Sequence, residues 1–299
     1  MIEVPAVVRK KAVACGAMAW LDALDDLVRS VAEAWDLRLG AAFGDATEAV
    51  VLAASRADGM PAVLKLLVPR HGGAARHEAV SLQLASGDGL VRLLEADIER
   101  GALLLERLGP SMHDCDLPID ERLAILTGLA RRVWRPALGC GLPTGASKAA
   151  ALAEHIVESW EELDRPCSEA AVEDAVQCAE RRAAAHDDER AVLVHGDVHQ
   201  WNALRSGDGW ALVDPDGILA EPAADLGVLM REDPTELLAG DPWGRAHLLG
   251  GWCGVDPVAV WEWGVIERVS TGLLCTEIGL QPVGREMLWA ADALAELAR

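Results

Sequence analysis

The sequence lacks tyrosine and contains a single phenylalanine, although it has eleven tryptophans. A catalytic tyrosine is therefore excluded. No CxxC pair occurs among the seven cysteines, which excludes zinc-knuckle and thioredoxin-type sites. Because the cysteine count is odd and no signal-peptide pattern is present, we expect reduced thiols and a cytoplasmic location. No apolar run is long enough to span a membrane.

Positive charge is also scarce. The chain has 27 Lys and Arg residues against 48 Asp and Glu residues, which gives a formal net charge of −21. A field of that sign argues against nucleic-acid and anionic-membrane partners. It attracts cations instead, so we expect a small-molecule partner that carries positive charge. In solution we expect a monomer or a weak dimer.

The hydrophobic pattern predicts a sheet-rich part followed by a helical part. Apolar residues at helical spacing predict helices over about the first 40 residues. The runs EAVVLAAS, PAVLKLLV, LVRLLEAD and ALLLERL predict strands, with a helix over about 74–85 between the second and the third. Helical patterns dominate from about 119 to 185 and again from 223 onward. Between them, RAVLVHGD and WALVDPDG predict a β-hairpin around a loop.

This order predicts an α+β fold of two lobes. Residues 1–108 would form a small N-terminal lobe with an antiparallel sheet, and residues 109–299 a larger, mostly helical lobe. The change of character follows a Gly-Pro pair at 109–110, which is typical of a connector. A cleft between two lobes is a common place for a ligand.

One segment has residues suited to phosphoryl transfer. HGDVHQWN places His195, Asp197 and Asn202 in the pattern HxDxxxxN, and a strand then leads to Asp214 in VDPDG. Phosphoryl transfer needs a carboxylate that orients the acceptor hydroxyl and oxygen ligands that hold Mg²⁺ against the phosphates. The Walker pattern GxxxxGK[ST] and the nucleophile pattern GxSxG are both missing. Their absence excludes a Walker-type NTPase and argues against a serine hydrolase.

The longer stretch HGDVHQWNALRSGDGWALVDPDGILAEPAADLG resembles the catalytic loop and following strand of the aminoglycoside phosphotransferases, which share the protein-kinase-like fold. It is most similar to the branch that contains streptomycin 6-phosphotransferases and hydroxyurea phosphotransferases. The resemblance extends from about Leu37 to the C-terminus and is strongest over 192–233. It implies a two-lobed protein-kinase-like fold and an ATP- and Mg²⁺-dependent kinase of a small-molecule hydroxyl group.

The same resemblance implies roles for five residues of the C-terminal lobe. Asp197 matches the catalytic aspartate, and Asn202 and Asp214 match the magnesium ligands. His195 would brace the loop by hydrogen bonding. Asp225, in AADLG, matches an aspartate that supports the catalytic loop.

The resemblance also implies a nucleotide clamp in the N-terminal lobe. Lys65, in PAVLKLLV, matches the strand lysine that contacts the α- and β-phosphates, and Glu78 is its expected helix partner. LLLERL resembles the hinge strand, where the backbone of Glu106 and Leu108 would bind adenine. No GxGxxG pattern occurs, and residues 44–48 (GDATE) occupy the place of the glycine-rich loop.

The 6-hydroxyl of streptomycin is the leading acceptor by resemblance, with antibiotic inactivation as the role. Streptomycin carries two guanidinium groups, so we expect an acidic acceptor pocket. The candidate carboxylates follow the catalytic segment: Asp216, Glu232, Asp233, Glu262 and Glu267. The last two lie five positions apart on a predicted helix, about 140° apart around its axis. We therefore expect only one of these two to face the acceptor.

Two alternatives stay open. A kinase of this branch could phosphorylate another small acceptor, such as hydroxyurea, a sugar or an amino sugar, in a metabolic role. The chain could also be a nucleotide-binding pseudokinase that serves as an interaction module, although it retains the lysine and the aspartate that pseudokinases usually lose. An acceptor screen separates the first alternative, and an Asp197→Ala variant separates the second.

Overall fold

The computed structural model describes residues 2–44, 46–70 and 72–297, and it divides into two units. The first unit extends to Pro110 and also includes Leu204–Asp216. The second unit comprises Ser111–Ala203 and the chain from Gly217 onward. The sequence-based division at residues 108–109 assigns 204–216 to the other lobe, and as a domain boundary it stays a prediction.

The first unit contains helices followed by a five-stranded sheet. Its elements up to the connector are α1 (Ala6–Ala14), α2 (Met18–Asp22), α3 (Leu24–Ala34), β1 (Arg38–Ala42), β2 (Ala49–Ser55), β3 (Pro61–Leu67), α4 (Ala74–Ala85), β4 (Leu93–Asp97) and β5 (Ala102–Glu106). The strands pair antiparallel in the order β1-β2-β3-β5-β4. The sequence pattern predicts α4 and four of these strands correctly. It misses β1, whose sequence RLGAA has no β-branched residue.

The two faces of this sheet have different partners. Leu64 and Leu66 of β3 lie in a buried apolar cluster with Val28 and Val31 of α3. Because side chains alternate along a strand, Lys65 lies on the opposite face of β3. On that face α4 packs on β4 and β5. The sheet thus separates an apolar core from the side that carries the lysine.

The second unit is mostly helical, as the sequence predicts. After a 3₁₀ turn (Met112–Asp114), the chain forms α5 (Ile119–Val133), α6 (Gly145–Glu162), α7 (Glu169–Ala184) and β6 (Val192–Val194). The strands β7 (Ala203–Ser206) and β8 (Gly209–Leu212) follow, and all of their residues except Ala203 belong to the first unit. The second unit continues with β9 (Ile218–Ala220), α8 (Ala223–Arg231), α9 (Pro234–Ala239), α10 (Pro242–Cys253), α11 (Pro257–Glu277) and α12 (Val283–Leu297). Helix α11 packs against α6, α7, α8, α10 and α12, and most of its residues are buried. Within the described ranges, no helix combines the length and the apolar character needed to cross a membrane.

The predicted hairpin between RAVLVHGD and WALVDPDG is wrong. Strand β6 pairs with β9, whereas β8 pairs with β7. A two-residue turn, Gly207-Asp208, joins β7 to β8, and Gly207 has a φ of +57°. Glycine adopts this left-handed conformation at little cost, and such short turns favour hairpins. Residues 195–202 therefore form the segment that leads from β6 to β7.

Candidate active site

The ammonium group of Lys65 contacts two carboxylates of the first unit. Its Nζ donates hydrogen bonds to Oε1 and Oε2 of Glu78 at 2.8 and 2.7 Å, and to Oδ1 of Asp214 at 2.9 Å. Only 5% of Lys65 is exposed. Burial lowers the pKa of Lys65, but the charges of Asp214 and Glu78 outweigh burial and raise it. Sequence reasoning assigns these three residues to nucleotide or Mg²⁺ binding, and in the structure they contact one another.

Glu78 lies on the face of α4 that meets the sheet, and it is buried. Burial raises the pKa of Glu78, the adjacent Lys65 charge lowers it in part, and the net pKa is about 7. Two hydrogen bonds from an ammonium group favour the ionised carboxylate. We therefore describe Lys65 and Glu78 as a buried ion pair.

Asp214 follows the end of β8 and reaches the same lysine. Its φ is +60°, a left-handed conformation that aspartate adopts more readily than most residues. Although its Oδ1 is bound to Lys65, 53% of the side-chain surface of Asp214 is exposed. Asp216, two residues later, is exposed. A carboxylate that is fixed on one side and open on the other can contact a ligand without losing its protein partner.

The segment expected to bind adenine leaves the end of β5. The Glu106 N–H donates to the carbonyl of Arg92 at 3.0 Å, and the Glu106 carboxylate accepts from the Arg92 N–H at 2.8 Å. These two hydrogen bonds fix Glu106 to the neighbouring segment of the same chain at Arg92. Leu108 is half-buried on the stretch that follows. The adenine-binding role of both residues stays a prediction.

Residues 44–48 occupy the place of a glycine-rich loop in the sequence. Asp45 lies outside the described residues. Glu48, at the end of the segment, contacts Lys11 of α1 at 2.5 Å and Arg70 at 2.8 Å. Burial raises the pKa of Glu48, but Arg70 and Lys11 outweigh it and lower the pKa below its usual value. Helix α1 is therefore tied by charge to the start of β2.

Asp225 fixes the start of the HGDVHQWN segment in the second unit. It lies in the first turn of α8 and is fully buried. Its Oδ1 accepts from the Gly196 N–H at 2.7 Å, and its Oδ2 accepts from the His195 N–H at 3.1 Å and from Trp134 Nε1 at 2.8 Å. Burial raises the pKa of Asp225 despite these donors. The structure thus places Asp225 where it can support the loop.

His195 is buried and supports the loop from inside. Its Nδ1 accepts a hydrogen bond from the Asp197 N–H at 3.1 Å. Gly196, between them, has a φ of +90°, a conformation that side chains disfavour. Lys148 of α6 donates to the Gly196 carbonyl at 2.9 Å. Together these bonds set the direction in which the Asp197 side chain leaves the backbone.

Both oxygens of the Asp197 carboxylate have partners. Oδ1 accepts from Arg231 Nη2 at 2.6 Å, whereas Oδ2 lies 3.0 Å from His199 Nε2 and 3.3 Å from Asn202 Nδ2. Burial raises the pKa of Asp197, but the charges of His199 and Arg231 lower it well below its usual value. Asp197 is therefore an ionised hydrogen-bond acceptor, suited to orient a hydroxyl group.

The oxygen atoms of Asn202 and Asp214 fit a magnesium ion chemically. Asn202 donates through Nδ2 to the carbonyl of Asp197 at 3.0 Å, so its amide oxygen points away from that contact. Amide and carboxylate oxygens are the hard ligands that Mg²⁺ prefers. Asn202 belongs to the second unit and Asp214 to the first, and their assignment to one Mg²⁺ ion stays a prediction. In the part of the chain that the structure describes, no cluster of three His, Cys, Asp or Glu side chains could hold a metal.

Two of the carboxylates considered for the acceptor, Glu262 and Glu267, are buried on α11. Glu267 accepts from Arg231 Nη1 at 3.1 Å and lies 3.4 Å from Lys148 Nζ. Glu262 instead forms ion pairs with two arginines of α7. Both side chains are buried because α11 is surrounded by other helices, and the expectation that only one of them faces the acceptor stays a prediction. Of these two carboxylates, Glu267 is the one that contacts Arg231, which also binds Asp197.

The remaining acceptor candidates also differ from one another. Asp233 contacts Arg122 at 2.5 Å, and Glu232 lies 3.9 Å from Nε of Arg231. Asp216 belongs to the first unit and is exposed. The four candidates of the second unit, including the two on α11, therefore each have an arginine partner within the chain.

Sequence reasoning gave no role to Arg231 or His199, both of which contact Asp197. Arg231 lies 34 positions from Asp197, and no local pattern marks it. His199 belongs to the motif itself, so its position two residues after Asp197 could have identified it. Trp201, also in the motif, stacks on His113 with ring centroids 3.4 Å apart and is 55% exposed. The exposed aromatic ring of Trp201 therefore lies close to Asp197 along the sequence.

Comparison with known proteins identifies relatives over most of the chain. A family model described as "Aminoglycoside/hydroxyurea antibiotic resistance kinase" matches residues 35–249. A hydroxyurea phosphotransferase of Kitasatospora aureofaciens is 31% identical over 278 residues, which cover 88% of this chain and 77% of that protein. A streptomycin 6-kinase of Streptomyces griseus is 29% identical over 210 residues, which cover 70% of this chain and 67% of that protein.

Solved structures have the same fold. A thermostable mutant of aminoglycoside phosphotransferase APH(4)-Ia, in a ternary complex with ADP and hygromycin B, has a TM-score of 0.62 and 15% identity, and the match covers 90% of this chain and 97% of that one. Choline kinase LicA from Streptococcus pneumoniae has a TM-score of 0.61 and 14% identity, with 92% and 99% covered. The two-lobed protein-kinase-like fold that the sequence predicts is confirmed.

Proposed function

Since the chain belongs to the aminoglycoside/hydroxyurea antibiotic resistance kinase family, we propose that it transfers the γ-phosphoryl group of ATP to a hydroxyl group of a small molecule, with Mg²⁺. The observation that carries this proposal is the buried Lys65, held between Glu78 and Asp214. A buried cation with a fixed direction, next to a half-exposed carboxylate, is suited to bind nucleotide phosphates. We expect the protein to act in the cytoplasm as a monomer or a weak dimer.

In this proposal each polar group has a distinct task. Lys65 binds phosphate oxygens of ATP, and Asn202 and Asp214 would hold Mg²⁺, which supplies neutralising charge at the phosphates. Asp197 accepts a hydrogen bond from the acceptor hydroxyl and orients its oxygen toward the γ-phosphorus. As that oxygen bonds to phosphorus, the bond to the ADP oxygen breaks and the hydroxyl proton passes to Asp197. Catalysis then consists mostly of positioning and charge neutralisation.

The first acceptor that we propose is streptomycin, phosphorylated at its 6-hydroxyl, which would inactivate the antibiotic. The relative of Streptomyces griseus is a streptomycin 6-kinase. A net charge of −21 also raises the local concentration of a cationic acceptor. Both points support a dicationic acceptor.

A second acceptor, hydroxyurea, is favoured by a different observation. Four of the five acidic side chains expected to bind guanidinium groups already contact arginines of the chain, as for Asp233 with Arg122 and Glu267 with Arg231. A cationic acceptor would have to compete with these arginines, whereas an uncharged acceptor would not. The match to the hydroxyurea phosphotransferase also extends over more of the chain than the match to the streptomycin 6-kinase.

Coupled measurement of ADP release tests the proposal. Purified protein, ATP and Mg²⁺ would be mixed with streptomycin, other aminoglycosides, amino sugars, sugars or hydroxyurea. We expect acceptor-dependent turnover that is lost in Asp197→Ala and kept in Asp208→Ala, which changes an exposed turn residue. The acceptor that gives turnover decides between the two candidates. ATP binding without turnover on any of these acceptors would contradict both acceptor candidates and leave a kinase of another acceptor or a nucleotide-binding interaction module.

A further inference from the structure

Helix α8 contacts the HGDVHQWN segment at both of its ends. Its first turn presents Asp225 to the N–H groups of His195 and Gly196. Its last residue, Arg231, reaches the Asp197 carboxylate. Asp225 and Arg231 are six positions apart, which corresponds to about 9 Å along the helix axis. A single rigid element thus fixes the backbone of the segment and the carboxylate that it carries.

The Arg231 guanidinium group is buried and bridges two elements. Nη2 donates to Asp197 Oδ1 at 2.6 Å, while Nη1 donates to Glu267 Oε2 at 3.1 Å and to Thr271 Oγ1 at 2.9 Å. Only 9% of its side-chain surface is exposed. The planar guanidinium group is therefore held from α11 on one side and holds Asp197 on the other.

The backbone on each side of Arg231 is held by a further arginine. Arg268 of α11 donates to the carbonyl of Met230 at 2.5 Å, and Arg245 of α10 donates to the carbonyl of Glu232 at 2.9 Å. Arg268 is buried, and burial together with the nearby Arg245 charge lowers its pKa to about 9. Burying an arginine is costly, but Arg268 and Arg245 donate to carbonyl groups at the C-terminal end of α8, where a cation is favourable. The segment that carries Arg231 has little freedom to move.

We propose that Arg231 is a positioning residue that fixes the orientation of the Asp197 carboxylate toward the acceptor hydroxyl. This inference rests on the proposed function. Arg231 holds Oδ1, while His199 and Asn202 hold Oδ2, so rotation of the carboxylate would break contacts on both sides. Among the residues that the structure describes, Oδ1 has a single donor, Arg231, so it retains a lone pair that can accept a hydrogen bond from a hydroxyl group. Arg231 thus acts through Asp197 and does not itself bind the acceptor.

Steady-state kinetics of Arg231→Met and Arg231→Lys test the inference. We expect kcat to fall about 10²-fold in Arg231→Met, because small misplacements of reacting groups have effects of this size. The KM for ATP should stay unchanged, since the contacts of Lys65 are untouched. Lysine should restore only part of kcat, because one ammonium group cannot reproduce the two-sided fork of the guanidinium group. Arg285→Met, an exposed change on α12, is the matched control.

Chemical rescue separates positioning from a general loss of structure. Arg231→Ala leaves a space of guanidinium shape, and added guanidinium ion at concentrations that do not unfold the protein should restore part of kcat. The same ion should not restore Asp197→Ala. Should the alanine variant fail to fold, Thr271→Val removes one anchor of Nη1 with little change in shape. It should lower kcat and leave the KM for ATP unchanged.

Three results would overturn the inference: a folded Arg231→Met protein with wild-type kcat, an effect confined to the KM for ATP, and wild-type kinetics in Thr271→Val. Hydrogen exchange provides a readout that needs no acceptor. We expect the amides of residues 195–202 to exchange faster in Arg231→Met than in the wild type or Arg285→Met. If the wild type shows no turnover but this difference is found, the proposed function fails and the positioning contact stands. Equal exchange would overturn the positioning contact itself.

Discussion

The buried ion pair of Lys65 and Glu78 allows effects on stability and on activity to be separated. Lys65→Met would leave the Glu78 carboxylate buried without its partner, which costs about 3–5 kcal/mol of unfolding free energy. In the double variant Lys65→Met/Glu78→Gln no buried charge is left unpaired, so most of that stability should return. Activity should not return, because no cation remains to bind the phosphates. Urea unfolding and ATP-dependent turnover measure the two quantities.

The Lys65 prediction has an internal control. Glu78→Gln alone keeps the lysine, which still contacts Asp214 at 2.9 Å. We therefore expect this variant to retain more nucleotide affinity than either protein without Lys65. A double variant with wild-type turnover would contradict the assignment of Lys65 to the phosphates.

The Asp225 carboxylate accepts hydrogen bonds from three donors, which are the N–H groups of His195 and Gly196 and the indole N–H of Trp134. In Asp225→Asn, an NH₂ group replaces one of the two carboxylate oxygens. That NH₂ group would face the N–H of His195 or of Gly196, which is also a donor. Leaving a buried donor unsatisfied costs about 1–3 kcal/mol. Trp134→Phe removes only the indole donor and keeps both backbone contacts, so its cost should be about 0.5–1.5 kcal/mol. Thermal unfolding of the two variants should rank them in that order, and the reverse order would contradict the support role of Asp225.

At the scale of elements, the crossing of α8 and α11 depends on two glycines. A Cβ at Gly227 would lie 2.3 Å from Cβ of Trp263, and one at Gly264 would lie 2.5 Å from Cβ of Met230. Non-bonded Cβ atoms do not approach other atoms this closely, so the helices would have to separate. Since α8 carries both Asp225 and Arg231, a shift of α8 would also displace the loop that these residues hold.

Gly227→Ala should therefore reduce stability and kcat together. Overpacking of this kind costs about 1–3 kcal/mol. Gly128→Ala on α5 is the matched control, because its Cβ would meet no atom within 4 Å. Removing a glycine from a helix interior at an open position should stabilise the protein by about 0.5–1 kcal/mol. Opposite signs in urea unfolding support the crossing, and equal effects would contradict it.

The sequence predicts elements well where the signal is local and less well where pairing is long-range. The helices and four strands of the first sheet follow from periodicity and β-branched runs. The hairpin around 195–202 does not form, because the two-residue turn Gly207-Asp208 pairs β8 with its immediate neighbour β7. That turn was visible in the sequence as SGDG. The pairing of β6 with β9 had no comparable local signal.

The candidate site shows the same division. The pattern HxDxxxxN and the strand that follows it single out Asp197, Asn202 and Asp214, and the family resemblance adds Lys65. Arg231 contacts Asp197 across 34 positions, and its neighbourhood in the sequence shows only acidic residues of interest. Its role depends on the direction of α8, which is set by packing against α11. No pattern along the chain encodes that direction.

At the scale of the whole molecule, the excess of negative charge has an effect that no single residue explains. The formal charge of −21 produces a field that attracts cations. Salt screens such a field, since the Debye length falls from about 30 Å at 0.01 M to about 3 Å at 1 M ionic strength. A cationic acceptor should therefore bind more weakly as salt is added, whereas an uncharged acceptor should not respond.

Kinetics at two salt concentrations would measure this effect directly. Between about 0.02 and 0.5 M salt, we expect the KM for streptomycin to rise severalfold, because screening removes most of the long-range attraction. The KM for hydroxyurea, the uncharged control, should stay constant, and kcat should change little for either acceptor. If both KM values rise in the same proportion, salt acts on the ATP and Mg²⁺ contacts and the negative field plays no part in acceptor capture. If neither rises, the arginines that contact the acidic side chains already neutralise the field where the acceptor binds.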